Sequence, residues 1–379
     1  MDFQFSETHE LIRETARHFA DQKIAPGSIE RDEKEIFPRD LVKEMGELGF
    51  MGMMVPEEWG GAGLDTISYV IAMEEISRVD ASCGVIMSVN NSLVCYGIDK
   101  YGTEDQKKRY LRDLASGKKL GAFALSEPEA GSDASNQRTV ADRDGDYYIL
   151  NGTKNWITNG STCDVVLVMA ATDKAKGPKG ISTFIVDKGI PGFSVAKKEK
   201  KLGIRSSDTV SLAFQDAKVP VANRIGEEGD GFKFAMKTLE GGRIGIAAQA
   251  LGIAQACLDT SINYSKQRKA FDRPIAELQA IQFKIAEMAT NIQAARMLIL
   301  KAAALKDAGQ PFGQEAAMAK LFASKISVQA ALEAIQIHGG YGYVQEYLVE
   351  RYLRDAKITE IYEGTSEIQR VVISRSLLR

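Results

Sequence analysis

The sequence predicts an α+β protein: an N-terminal helical domain over residues 1–120, a middle antiparallel β-domain over 121–225 and a C-terminal four-helix bundle over 226–379. Three observations predict it. Helix-like segments broken by Gly and Pro fill the first zone, short β-rich runs fill the second, and an unbroken apolar repeat of three and four runs through the third.

In the first zone, TEDQKKRYLRDLASG (103–117) pairs Thr103 with Gln106 as a capping box and closes on Gly117. The second zone holds YYILNGTKNWIT (147–158), DVVLVMAA (164–171), ISTFIVD (181–187) and TVSLAFQDAKV (209–219), bounded by turn signals such as DGD and NG. No ten-residue helical pattern separates these runs, which favours antiparallel pairing in a small barrel or sandwich. In the third zone Leu278, Ile281, Ile285, Met288, Ile292, Ala295 and Ile299 form the core stripe of a bundle helix.

At 379 residues the chain is long enough for two or three domains with substantial cores, and 44% apolar with 26% charged residues is ordinary for a soluble globular protein. A net charge of -3 argues against nucleic-acid binding, which needs a clustered positive field. The basic run KKEKK (197–201) reads as a solvated loop. Cys83, Cys95, Cys163 and Cys257 form no CxxC pair, and His9, His18 and His338 are dispersed, so no metal site or disulfide framework is expected. No run of 18 apolar residues is seen and the N-terminus carries acidic residues, so no membrane span is expected and an intracellular, cytoplasmic location is, or the mitochondrial matrix for a processed form. GGAGLD at 60 lacks a third glycine and HGGYGY at 338 follows a long helix, so a Rossmann unit is not expected.

ITEIYEGTSEIQR (358–370) is the most informative stretch. RYLRDAKITEIY reads as helix, Gly364 as a break, and Ser366 with Gln369 as the capping box of a further helix. Glu363 then sits at a helix–helix corner with its N–H outside any helix, as a general base does, or else it only places negative charge near the next helix N-terminus.

Taken together, ALSEPEAGSD (124–133), NGTKNWITNG (151–160), RKAFDRPIAELQAIQ (268–282), QIHGGYGYVQE (336–346) and IYEGTSEIQR (361–370) resemble the acyl-CoA dehydrogenase family, in order and over nearly the whole chain. ASCGVIMSVNNSL (81–93) and KLGIRSSDT (201–209) are most similar to its short-chain, butyryl-type members. The resemblance implies a homotetramer, a dimer of dimers, with FAD in a non-Rossmann cleft. It also implies α,β-desaturation of an acyl-CoA thioester, within fatty acid β-oxidation, and an electron-transferring flavoprotein as acceptor. Glu363 would be the α-proton base, its N–H and a ribityl hydroxyl holding the thioester oxygen while the β-hydrogen leaves as hydride to flavin N5.

Other positions carry over by motif. Phe123, Leu125 and Ser126 would lie along the flavin ring, Ser132 would contact pyrophosphate or substrate, Trp156 would cover the ring and Thr158 would bond near N5. Without the resemblance, Trp156 reads as a large core residue. Arg268 and Phe271 would reach the FAD of the adjacent subunit, while Gln336, Gly339, Gly340 and Gly342 would approach its ADP part, and Thr365 and Glu367 would also contact FAD. For the glycines the plain alternative is a helix C-cap turn, which is compatible with binding. Glu240 and Arg243 match positions near the pantetheine, Arg243 being equally readable as a surface salt-bridge partner; Tyr362 and Gly364 would line the substrate, and Met87, Ser88 and Val89 would close a short acyl pocket.

Departures from the family pattern inform as well. Some branched-chain members carry the base where this chain has Gly242, and glutaryl-type members carry an arginine where it has Gly84, which leaves Glu363 as base and an uncharged acyl chain as substrate. Asp272 replaces a usual glycine and is expected to keep the left-handed turn, whereas Asn136 replaces a small residue after GSD. An acyl-CoA oxidase-like flavoenzyme and a non-catalytic binding protein on the same fold are the alternatives.

Overall fold

The computed structural model describes residues 4–378. The chain begins with α1 (Glu7–Phe19), α2 (Ser28–Glu33), α3 (Arg39–Glu47), α4 (Thr66–Val79), α5 (Ala81–Ser88), α6 (Tyr96–Tyr101), α7 (Glu104–Gln106) and α8 (Arg112–Ala115). The Thr103–Gln106 capping box forms with both bonds in place, and Gly117 takes φ +71 beyond the end of α8. A π-helical stretch, Val89–Cys95, joins α5 to α6 into one helix. That segment, Ala81–Tyr101, has a mean hydropathy of 1.3 and the length to cross a membrane, although it contains no unbroken apolar run; 94% of its most apolar window is buried inside the protein, so its apolar surface is spent on the core.

The middle of the chain is a sheet of β1 (Gly121–Ala124), β2 (Val140–Asp144), β3 (Tyr147–Thr158), β4 (Val165–Ala171), β5 (Ile181–Asp187), β6 (Phe193–Lys198), β7 (Thr209–Pro220) and β8 (Arg224–Ile225). Its order is β6-β7-β3-β2-β4-β5-β8, with β1 beside β4. Most pairs are antiparallel as expected, but β1 runs parallel to β4, and β2 touches β4 in parallel at one residue pair. The β2–β3 hairpin and the loop before it supply the long crossover that a parallel pair requires, without a helix. Lys197 and Lys198 belong to the exposed edge strand β6 rather than to a loop, and charge on an edge blocks unwanted pairing. β4 is an unbroken apolar run because both faces are covered. Val165, Leu167 and Met169 face the helical core, while Val166, Val168 and Ala170 face a second core within the sheet.

Three long helices follow: α9 (Gly231–Gln267), α10 (Gln279–Asp307) and α11 (Gly313–His338). Between α9 and α10 a hairpin of β9 (Lys269–Ala270) and β10 (Arg273–Pro274) turns through Phe271 at φ +54 and Asp272 at φ +62. Two successive left-handed residues make the primed turn that matches strand twist, and Asp272 keeps it where a glycine was the usual residue. The expected fourth bundle helix is broken into α12 (Val349–Ile358) and α13 (Ser366–Leu377). The break is the corner that carries Glu363.

Residues from all parts of the fold hold α12 in place. Arg354 Nη2 donates to Asp32 at 2.8 Å, Arg351 Nη2 donates to the Val79 carbonyl at 2.8 Å, and Asp355 Oδ1 accepts the Ile204 N–H at 2.5 Å. A Cβ on Gly203 would collide with the Arg354 carbonyl, so the 201–209 segment packs directly on the α12 backbone. Asp355→Ala removes the carboxylate between a buried guanidinium and a buried N–H. It is expected to lower the free energy of unfolding by about 3 to 5 kcal/mol. Urea denaturation followed by circular dichroism measures this, and a loss below about 1 kcal/mol, the level of an exposed pair, would show that α12 is held by packing alone.

Candidate active site

The corner begins where α12 runs out at Ile358. Glu363 takes φ +51 and Gly364 φ +94, two successive left-handed residues. Glycine does this freely; for glutamate it costs roughly 1 to 2 kcal/mol. The cap of α13 is Thr365, whose Oγ1 accepts the Ile368 N–H at 3.3 Å, one residue before the expected Ser366. Gln369 therefore serves no capping box. Its Nε2 folds back and donates to the carbonyls of Glu363 at 3.3 Å and Gly364 at 2.8 Å. Lys320 on α11 donates to the same Gly364 carbonyl at 2.7 Å. The Glu363 N–H finds no acceptor among the described residues.

The side chain of Glu363 points onto α9. A Cβ on Gly242 would collide with Glu363 Oε2 and would meet Leu93 Cδ2 at 2.9 Å, so only glycine leaves room for the carboxylate there. Gly242 thus opens on the same space as Glu363. Oε2 is buried and has no hydrogen-bond partner among the described residues. Burial pushes this carboxyl up to about 7, opposed by the positive charges of Lys320 and then Arg243. Lys320 in turn is brought down to about 8 by its own burial, against the pull of Glu363. Arg243 is buried, its Nε lacks a partner, and it makes no ion pair among the described residues, which excludes the surface salt-bridge reading. Glu240, one turn earlier, is half-buried and pairs with Lys237 at 3.2 Å.

Two polar pairs back this space. Tyr362 Oη donates to Gln249 Oε1, and Gln249 Nε2 donates to the Ala81 carbonyl at 2.7 Å. Tyr69 Oη donates to Ser88 Oγ at 3.1 Å, and a Cβ on Gly245, one turn beyond Gly242, would meet both groups. Burial raises Tyr69 and Tyr362, and the charge of Glu363 adds to the rise, so both phenols stay neutral donors. Met87 and Val89 flank Ser88 and are buried, while Leu93, on the π-helical stretch, closes on the bare face at Gly242. Sequence reading missed Leu93, Lys320 and Gln249, and gave Gln369 a capping role in place of its bonds to the turn. Lys320 alone left a signal, a single charge within the apolar run AAMAKLFA.

On the β-domain a buried ion pair sews the first two motifs together. Lys154 Nζ donates to Glu127 at 2.8 Å and to the Leu125 carbonyl at 3.1 Å, and the Asn155 N–H reaches the Ser126 carbonyl at 2.8 Å. Trp156 follows at φ +62, in the irregular stretch between the Lys154 and Ile157 pairings with β7. It is 61% exposed, so it is no core residue. Ser126 and Thr158 are half-buried, Leu125 is buried, Phe123 stacks near Phe234 and Ser132 is exposed. This loop and strand form a surface shelf with a bare indole beside hydroxyls.

A separate cleft of about 730 Å³ lies at the far end of α11, lined by Tyr264, Arg268, His338, Gly339, Gly340 and Tyr341 among others. Gly339 and Gly340 have open space where a Cβ would stand, and the Arg268 guanidinium lies 5.6 Å from the Tyr341 ring centre. Gly342 is buried, and a Cβ there would strike the Ile335 carbonyl. Phe271, 84% exposed, and Gln336 are outside that lining. Gly339 follows Lys320 by 19 residues (339 − 320) on α11, which is roughly 28 Å along the helix. Within one chain this cluster and the Glu363 corner are therefore two different places. Thr365 uses its hydroxyl oxygen as a cap, and Glu367 projects from the first turn of α13. Among the described residues no group of three or more His, Cys, Asp or Glu is arranged to hold a metal ion.

Family models described as the N-terminal, middle and C-terminal domains of acyl-CoA dehydrogenase match residues 6–118, 122–217 and 229–378. The short-chain specific acyl-CoA dehydrogenase of Clostridium acetobutylicum is 51% identical over 379 residues, 100% of both chains. The solved structure of butyryl-CoA dehydrogenase from Megasphaera elsdenii superposes with a TM-score of 0.99 at 49% identity, covering 100% of each chain. A chain from a solved structure described as the electron transferring flavoprotein of Acidaminococcus fermentans gives a TM-score of 0.99 at 51% identity, again over 100% of each chain.

The raised proton affinity of Glu363 fixes a sign for stability. Below its unfolded value of 4.5 the carboxyl is protonated in both states; as pH climbs through about 7 the folded protein must ionise a buried group, and stability is lost. Glu363→Gln removes that burden and is expected to be more stable than wild type at pH 8 by about 2 to 3 kcal/mol, with the gain shrinking toward zero at about pH 4.5. Urea unfolding at both pH values measures it. Equal stability at pH 8 would mean that the carboxylate is solvated.

Proposed function

The chain belongs to the acyl-CoA dehydrogenase family, and from that premise we propose that it is a short-chain, FAD-dependent enzyme that oxidises butyryl-sized acyl-CoA thioesters to trans-2-enoyl-CoA, with Glu363 as the α-proton base. One observation carries the assignment of the base. Glu363 presents a buried carboxylate oxygen without a partner and, from the same residue, a backbone N–H without an acceptor.

The α-proton of a thioester is weakly acidic, so its removal needs a base of matched proton affinity and a donor for the oxygen that gains charge. The carboxylate of Glu363, raised to about 7, takes the proton, and its N–H donates to the thioester oxygen. Arg243 and Lys320 stabilise the ionised base before the reaction, and the carboxylate fits against α9 because Gly242 is bare. Bound FAD would supply the acceptor for the β-hydrogen, which leaves as hydride. The residues present fit that cofactor. An exposed Trp156 on a left-handed backbone beside Ser126 and Thr158 suits a flat polar ring, and the bare Gly339 and Gly340 near Arg268 suit close approach of a pyrophosphate. Because Arg268, Gly339 and Gly340 lie roughly 28 Å along α11 from the Lys320 that binds the Glu363 corner, we assign them to the FAD of a neighbouring copy in a homotetramer. An electron-transferring flavoprotein is the acceptor we assign, in keeping with the description attached to one of the similar structures.

Chain length follows from the back wall. Tyr69–Ser88 and Tyr362–Gln249 are mutually satisfied pairs, so extending into them breaks hydrogen bonds as well as packing. Each misfitting methylene costs roughly 1 to 3 kcal/mol. A Cβ on Gly84 would already strike Ser77 Oγ, which leaves no room for a side chain that binds a distal carboxylate.

Glu363→Gln is expected to purify yellow and to bind butyryl-CoA, yet to bleach its flavin about 10²-fold more slowly or worse in anaerobic stopped flow. Bleaching near the wild-type rate would refute the assignment. The bleaching rate of wild type with free substrate should rise as pH climbs through about 7, where the base ionises.

A further inference from the structure

We infer that Lys320 is a positioning residue for the base: from α11 its ammonium ties back the Gly364 carbonyl, holding the left-handed corner, and sets a buried positive charge facing the Glu363 carboxylate. This rests on the reading of Glu363 as the base. Lys320 is 0% exposed, and its acceptor at 2.7 Å is the Gly364 carbonyl, not a carboxylate. Among the described residues it has no ion pair within 4 Å. An unpaired ammonium in an apolar helix core is expensive, and methionine would fill the same volume at lower cost. The retained charge acts on the Glu363 carboxyl from beyond ion-pair distance.

The backbone geometry shows what it holds. Gly364 O receives Lys320 Nζ and Gln369 Nε2, and Glu363 O receives Gln369 Nε2. Both carbonyls of the turn are thus anchored by side chains of α11 and α13, and the Glu363 N–H is left without an acceptor. The groups that face the Glu363 carboxyl are Lys320 on α11, Arg243 on α9, Tyr69 on α4 and Tyr362 on its own segment, with Glu360 and Glu367 acting on Lys320 from farther along the corner. Only Lys320 combines a charge on the carboxyl with a bond to the turn; Arg243 touches neither carbonyl.

The two roles separate by substitution. Lys320→Gln keeps a donor for the Gly364 carbonyl and removes the charge, whereas Lys320→Met removes both. In the holoenzyme, a difference infrared titration follows the protonated-carboxyl band that is missing in Glu363→Gln. The midpoint is expected to rise by about one unit or more in both lysine variants, and the pH profile for flavin reduction by butyryl-CoA should move alkaline with it. Lys320→Met alone should also lower the pH-independent limit of that rate, with Lys320→Gln recovering most of it. A purely structural lysine would lower the rate at every pH and leave the midpoint in place, and that result overturns the inference. Loss of FAD or of fold in both variants overturns it as well. Normal bleaching in Glu363→Gln would instead refute the proposed base, so the two failures are distinct.

Discussion

The protein is organised around keeping one carboxylate out of water while leaving it able to ionise. Glu363 has to sit at a chain corner to free its N–H, in a left-handed conformation to aim its side chain, and against a bare stretch of α9 to have room. Each condition opposes stability. The surrounding fold supplies the compensation: α12 is fastened by Asp32, Val79 and Ile204 at its start and middle, and the corner beyond it is fastened by Lys320 and Gln369. The glycines at 242 and 245 are the negative image of what lies on them, a carboxylate and a tyrosine–serine pair.

Much of this was legible in the order of residues. The β3 and β5 runs coincide with their strands because alternation and continuous apolarity report burial of one or both faces, and the stripe from Leu278 to Ile299 lies along α10. Glu363 stood out because its apolar neighbours and the glycine break put it at a chain corner, but the local sequence left a plain helix-terminus charge open and the resemblance singled it out as base. Short or solvent-facing elements left no pattern: β1 has four residues, β8 has two, and β6 is exposed along nearly its whole length. The parallel partnership of β1 with β4 depends on chain path, which periodicity does not encode. Ser366 and Thr365 are equally good caps by composition, and a single residue of register decided between them through the backbone angles of the corner. Lys320, Gln249 and Leu93 lie on helices distant in sequence, so only the packed structure brings them to Gly364, Tyr362 and Gly242 around the corner.

The two ends of α11 divide the chemistry. One end meets the corner, and the other carries the open glycines beside Arg268 and Tyr341. Strongly exposed aromatics such as Trp156, Phe271 and Tyr343 are costly on a solitary protein surface and become reasonable when a cofactor or a second copy covers them. The Glu363 corner and the open glycines are separated by roughly 28 Å along one helix.

Proton removal from the carbon beside the thioester can be observed without any oxidation. An acyl-CoA whose β-carbon is replaced by sulfur has no hydride to give, so incubating it with the enzyme in deuterium oxide isolates the base's step. Nuclear magnetic resonance should show deuterium entering the α-position with wild type and almost none with Glu363→Gln at the same occupancy. Equal incorporation by the two proteins would contradict the account, because some other group would then be taking the proton.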